Sequence, residues 1–385
     1  MTKALCIPFL ALALAGCALA PPAADPGRFA ADNLFAPPSR PVDASRVFEV
    51  SDAMRRYIDQ KVDPLQGSRS RQRALVDALR ARDELKLEYD AAYTRNAAEA
   101  FDARTGNCLS LVIMTGAFAH QLGVQARYRV VNVDETWARR GDIYFSIGHV
   151  NISLGRRVGA MTARFDDSEN FTVDFQPPPN HVPNGRWQEI EEKTVLAMYL
   201  NNRAAETFAD GRLDDAYWFA REAMRQDPQF IAAYNTLGVI YQRRGLHTEA
   251  ARVLAFALER ESRNTSVMSN LANAYASLGR DGEAAALRER LARLDPEPAF
   301  SWFNQGVAAM RRGDFRAARD LFEKEVDRAP DYHEFHFWLA LSLANLGEDE
   351  EARRHLALAK DASTTREDHD LYAAKLRRIN SARAR

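Results

Sequence analysis

Residues 104–123 read RTGNCLSLVIMTGAFAHQLG, and this stretch decides how the first half of the chain is understood. Gly106 and Asn107 interrupt what precedes them, apolar residues then continue to Leu122, and Gly123 stops the run. The pattern predicts a helix with Asn107 as N-cap, Cys108 at the first helical position and Gly123 just past the end. Leu109, Leu111, Val112, Ile113, Met114, Ala117, Phe118 and Leu122 lie nearly all round it, so the helix is expected to be buried. Its first turn nonetheless presents a thiol where unpaired backbone N–H groups and the helix dipole favour the thiolate, the nucleophilic form. A small core cysteine satisfies the same pattern. Only its neighbours separate the two readings.

Upstream, the chain opens with a single positive charge at Lys3 and an apolar run from Ala4 to Ala15, followed by Gly16 and Cys17. The run is too short for a membrane span and has the form of a secretory signal over residues 1–16. Leu14-Ala15-Gly16-Cys17 resembles the bacterial lipoprotein cleavage box, which implies lipidation of Cys17 as the first residue of the mature chain. Ala18 stands where inner-membrane lipoproteins usually carry Asp, so the resemblance points to the outer membrane, facing the periplasm. Residues 17–44 hold Pro21, Pro22, Pro26, Pro37, Pro38 and Pro41 and are expected to form an extended tether. Of the three cysteines, Cys6 would leave with the signal and Cys17 would carry lipid. Cys108 is then a lone thiol, with no disulfide partner and no cysteine cluster for a metal.

The 385 residues suggest two or three domains, and 52 basic against 53 acidic residues give no nucleic-acid footprint. After helical patterns around Met54 and Leu75, and a short helix expected from Asn96 to Ala103, the chain turns to strands. Gln125 to Val133, Ile143 to Leu154, Gly159 to Phe165 and Phe171 to Phe175 carry that pattern. Helices followed by an antiparallel sheet imply an α+β domain over residues 45–183, with residues 184–196 as a linker or helix.

Two polar residues interrupt these strands: His149 within IGHVN and Asp174 within FTVDF. A cysteine nucleophile needs a base, and the base needs an acceptor that fixes its tautomer. His120 lies twelve residues along the Cys108 helix, roughly 18 Å away, and cannot serve. His181 sits in a proline-rich loop without an evident orienting acid. His149 on one strand and Asp174 on a later one permit rigid placement. GNCLSL, then GHVN, then VDF resembles the transglutaminase-like superfamily, a papain-related cysteine fold. The resemblance implies Cys108 as nucleophile, His149 as general base and acid, Asp174 as orienting acceptor, and the Cys108 backbone N–H as one oxyanion donor. It implies no cofactor and no metal, and it names no substrate. The superfamily includes cross-linking enzymes, amidases, peptidases and inactive relatives.

The remainder of the chain is periodic. Gly211, Gly245, Gly279, Gly313 and Gly347 recur every 34 residues, and Ala216, Ala250, Ala284, Ala318 and Ala352 keep the same step. This is the tetratricopeptide pattern, giving five units over residues 197–366 and a capping helix over 367–385 in an all-α solenoid. Such arrays bind peptide or protein partners along a groove. By phase, the groove would be lined by Asn201, Asn235, Ser269, Asn273, Phe300, Phe303, Val307, Phe337 and Leu341, the last five forming an apolar patch. The lysine–asparagine clamp of chaperone-binding repeats is absent. Taken together, the chain reads as an envelope lipoprotein with a thiol acyl-transfer site acting on peptide or protein amides. The competing reading is a non-catalytic scaffold that works through its repeats and carries a relict cysteine domain.

Overall fold

The helix expected after Asn107 forms as read and sets the frame of the first domain. The computed structural model describes residues 25–64, 70–80, 85–140, 143–155, 170–175 and 187–383. The signal stretch, Cys17, the strand expected at 159–165 and His181 lie outside the described residues. Before the central helix come α1 (Asp52–Tyr57), α2 (Arg71–Arg80), the short strand β1 (Glu88–Tyr89), α3 (Ala97–Ala103) and β2 (Thr105–Gly106). The central helix, α4 (Cys108–Leu122), buries every apolar side chain along its length.

Two long strands follow, β3 (Gln125–Arg140) and β4 (Ile143–Gly155), then the short strands β5 (Phe171–Val173) and β6 (Trp187–Ile190). They make an antiparallel sheet in the order β5-β4-β3-β6. Buried Val150, Ile152 and Leu154 alternate with His149, Asn151 and Ser153, the period of two that a pleated strand imposes. Between Val131 and Thr136 the β3–β4 register shifts, so the ladder is interrupted immediately beside His149. Such irregularities re-aim the neighbouring side chains. Residues 187–190, expected to be linker or helix, instead pair with β3 from Tyr128↔Ile190 to Val131↔Trp187, satisfying backbone groups that β3 would otherwise leave open.

Five antiparallel helix pairs come next: α5 (Glu192–Ala209) with α6 (Leu213–Gln226), α7 (Ile231–Arg243) with α8 (His247–Arg260), and α9 (Thr265–Ser277) with α10 (Asp281–Leu294). The last two are α11 (Ser301–Arg312) with α12 (Phe315–Arg328) and α13 (His333–Asn345) with α14 (Asp349–Asp361). A final helix, α15 (Arg366–Arg383), caps them. The five periodic glycines sit between the helices of each pair at φ of +79°, +81°, +70°, +77° and +80°, a backbone state that other residues enter only with strain. The apolar core of the array is in two parts. One is continuous with the first domain and extends to Ala274, and the other begins at Phe300 and runs through the last two pairs.

Residues 25–41 are not a free tether. Phe29 and Phe35 are buried among the array's helices. Phe29 packs on Tyr234 and Phe256 at centroid distances of 5.7 and 5.0 Å, and Phe35 stacks on Tyr217 at 4.0 Å. The Ala31 N–H donates to the Tyr217 hydroxyl at 2.8 Å, Trp218 Nε1 donates to Ala36 O at 2.7 Å, and Arg221 pairs with Asp32 at 2.8 Å. The extended tether that composition predicts is not what forms: residues 26–29 and 32–34 make short 3-10 turns, and the two phenylalanines dock the segment as a strap across α6, α7 and α8.

Two of the expected groove residues are also corrected. Phe300 and Phe303 are 2% and 1% exposed, packed with Phe335, Tyr332 and Phe322 in the second core. Phe300 takes a left-handed backbone at φ +63°, so α11 begins only at Ser301 and both rings turn inward. Phe337 is half-buried against Tyr372 of the capping helix, and Val307 and Leu341 are half-buried as well.

Within that second core, His336 Nδ1 meets His355 Nδ1 at 2.9 Å while His336 Nε2 donates to Pro330 O at 2.7 Å. One Nδ1 must donate and the other accept, which leaves no place for two imidazolium rings. Burial, then the charges of His336 and Arg354, push His355 down to about 4, against an opposing pull from Glu351. A base depressed on folding adds stability above its unfolded value of about 6.5 and loses it as pH falls towards 4. Thermal melts are expected to show the last two helix pairs weakening by up to ~3 kcal/mol across that window, and His355→Gln should flatten the profile.

Candidate functional site

The site is built at the N-terminus of α4. Asn107 caps the helix, its Oδ1 accepting the Ser110 N–H at 2.9 Å and the Ser110 hydroxyl at 2.8 Å. Gly106 is required just before it, because a Cβ there would lie 2.7 Å from Ser110 Cβ. The Glu88 N–H donates to Arg104 O and the Asp90 N–H to Gly106 O, at 2.9 and 3.1 Å, tying β1 to this turn. Cys108 emerges from it 7% exposed, with the helix behind it and its own N–H free of an α-helical partner.

His149 reaches the same place from β4 and is likewise 7% exposed. Its Nε2 lies 2.7 Å from Asp174 Oδ1, and its ring is near enough to the Cys108 side chain for the two to interact electrostatically. With Nε2 committed to the carboxylate, Nδ1 is the ring nitrogen left for the thiol. Burial works against the imidazolium, but the bond to Asp174 and the proximity of Cys108 outweigh it and hold His149 at about 9. The ring therefore carries its proton through neutral pH. Asp174, just past the end of β5, is fixed from its other side by Asn151 Nδ2, which donates to Oδ2 at 3.2 Å. The structure thus brings Cys108, His149 and Asp174 together.

His120 stands apart, pairing with Glu192 at 3.0 Å where α5 begins. Among the described residues no group of three side chains could hold a metal ion, and no helix is long and apolar enough to cross a membrane. Of the groove positions, Asn235 accepts from Asn270 Nδ2 at 2.9 Å and Asn273 is exposed. Asn201 Oδ1 is buried without a hydrogen-bond partner.

Three residues beside the site escaped the sequence reading. Asn151 was visible in GHVN, two places beyond His149 and so on the same side of its strand. Tyr89 is set opposite Gly106 by the β1–β2 pairing, and burial together with Cys108 and Asp90 raises its phenol above the ordinary range. Thr94 is completely buried and donates its N–H to Glu206 of α5. Neither has a sequence signature.

Comparison with known proteins speaks to the array. A family model described as Tetratricopeptide repeat matches residues 235–297 and 303–366. The C-terminal half of the chain is a tetratricopeptide array. The first helix pair lies ahead of the matched residues, and the break between the two matches falls where the core divides. The chain is similar to the heat shock protein sti1 homolog of Schizosaccharomyces pombe, 32% identical over 170 residues, covering 42% of this chain and 27% of that protein. It is also 22% identical over 169 residues to the human protein O-mannosyl-transferase TMTC3, covering 44% of this chain and 18% of that one. The chain thus spans less than a third of the length of these curated relatives. Similar solved structures include a thermophilic TPR protein of Thermus thermophilus, 21% identical, covering 47% of this chain and 98% of the other at a TM-score of 0.31. YrrB, a TPR protein with an unusual peptide-binding site, is 21% identical, covering 47% and 92% at a TM-score of 0.26. Tetratricopeptide arrays are protein–protein interaction modules, and the repeats of this half are a surface for a peptide or protein partner.

Proposed function

We propose that the chain is a thiol acyl-transfer enzyme of the cell envelope, lipid-anchored through Cys17, that acts on peptide or protein amides held by its tetratricopeptide array. The supporting observation is the convergence of Cys108, His149 and Asp174 at the start of a buried helix, with His149 bonded to Asp174. In this reading the Cys108 thiolate attacks the amide carbonyl carbon, and the developing oxyanion faces the Cys108 N–H. The His149 imidazolium gives its Nδ1 proton to the leaving amine as the C–N bond breaks, leaving a thioester. Neutral His149 then takes a proton from the incoming water or amine, which attacks the thioester and releases Cys108. Water yields a carboxylic acid and makes the enzyme an amidase or peptidase, whereas an amine yields a new amide and makes it cross-linking. Asp174 keeps the ring oriented throughout.

A second reading, a non-catalytic scaffold working through the repeats, is favoured by the family match, which lies entirely within the array. Activity-based labelling of the mature protein, with mass spectrometry of adducts trapped from envelope extracts, separates the two. The enzyme reading expects an acyl adduct on Cys108 that hydroxylamine removes and that His149→Ala loses. A folded wild-type chain that never carries one leaves the scaffold.

A further inference from the structure

We propose that the first helix of the array, α5, belongs to the apparatus that positions the Cys108 turn, acting through Thr94. The inference rests on the thiol reading above. Thr94 is 0% exposed, and α5 holds it at three atoms. Its N–H donates to Glu206 Oε1 at 2.7 Å, its carbonyl accepts from Arg203 Nη1 at 3.2 Å, and its Oγ1 accepts from Asn202 Nδ2 at 3.2 Å. Residues 202, 203 and 206 share one face of a helix, so α5 grips this residue as a unit. Arg203 and Glu206 also pair with each other at 3.4 Å.

The same Oγ1 accepts a second bond, from Asn107 Nδ2 at 2.8 Å. Asn107 is the N-cap of α4. Its amide has no freedom left, since Nδ2 is taken by Thr94 and Oδ1 by both donors of Ser110. The residue after Thr94 adds another tie, the Arg95 N–H donating to Ser110 Oγ at 2.8 Å. A cap fixes where the first turn of a helix points, and here that turn carries the thiol and the N–H that faces the oxyanion. None of Asn202, Arg203, Glu206 or Thr94 touches Cys108 in this chain of contacts. They are positioning residues, and a displacement of α5 passes through Thr94 and Asn107 to the nucleophile. The array is therefore more than an appended recognition module.

The test uses the full chain and the rate at which iodoacetamide alkylates Cys108 between pH 5.5 and 9, with thermal melts run in parallel. Thr94→Val keeps the shape and removes the acceptor, whereas Thr94→Ser restores it. The Val variant is expected to lose at least fivefold in rate near pH 6.5, and the Ser variant to stay within twofold of wild type. Asn202→Ala, on the array side alone, is expected to lose about threefold with its melt unchanged, and it decides the matter if Thr94→Val does not fold. A reactive wild type whose rate is indifferent to Thr94→Val and Asn202→Ala overturns this inference and leaves the thiol reading standing. A wild type with only ordinary thiol reactivity overturns the thiol reading and this inference with it.

Discussion

Iodoacetamide should alkylate Cys108 rapidly at pH 6, and His149→Ala should slow that reaction by at least tenfold. An ordinary thiol with a pKa of about 8.5 is only ~0.3% thiolate at that pH, so rapid modification requires a charge partner. The partner is in place: His149 keeps its proton up to about 9, bonded to Asp174 and adjacent to Cys108. The sign follows from that raised value. The imidazolium is present throughout neutral pH, so the rate should already be high at pH 6 and change little up to about pH 8, where an ordinary thiol's rate is still climbing. Asp174→Asn should disturb the ring's orientation with little loss of stability, because Asn151 still has an amide partner there. The His149 and Asp174 effects should not add, since the groups act as one unit. If Cys108 follows an ordinary thiol's pH profile in both wild type and His149→Ala, there is no dyad and the scaffold reading stands.

Phe29→Ala should lower the stability of the folded chain by about 3–5 kcal/mol, the usual range for truncating a fully packed aromatic. The ring is 2% exposed between Tyr234 and Phe256, and its carbonyl accepts from the Tyr241 hydroxyl. Phe35→Ala, which unstacks Tyr217, should cost a similar amount, and the double variant should expose residues 25–41 to protease while the helix pairs remain intact. Chemical denaturation and limited proteolysis read both effects. A tether would give a change near zero, and that result would mean the strap is undocked in solution.

Much of this architecture was legible because it is local or periodic. Asn107 and Gly123 bound α4 through their own backbone preferences, and the 34-residue step of Gly211 to Gly347 marks turns that need φ > 0. Cys108 could be picked out because it opens a capped helix, and His149 and Asp174 because each puts an ionisable group inside a strand that otherwise has none nearby. What composition left unread depends on distant partners. The proline of residues 25–41 suggests an extended chain and shows neither the two 3-10 turns nor what lies beneath Phe29 and Phe35. Helical phase put Phe300 and Phe303 on a common face, yet a late start at Ser301 turned that face inward. Residues 187–190 look too short and polar for a strand until β3 supplies a neighbour. Thr94 matters only because α5 and Asn107 meet at it from opposite sides of the fold.

The division of the apolar core near residue 300 governs how the chain comes apart. An uninterrupted solenoid passes cooperativity from each unit to the next through shared packing. Here the first three helix pairs share a core with the sheet and α4, whereas the last two pairs and their cap hold another. A backbone bond between the Ala91 N–H and Thr364 O, 3.0 Å long, joins the far end of the array to the loop that begins just after Tyr89. One such bond contributes only about 1 kcal/mol. The chain is therefore expected to unfold as two foldons in tandem, the C-terminal one melting and reforming while the thiol and its partners stay assembled.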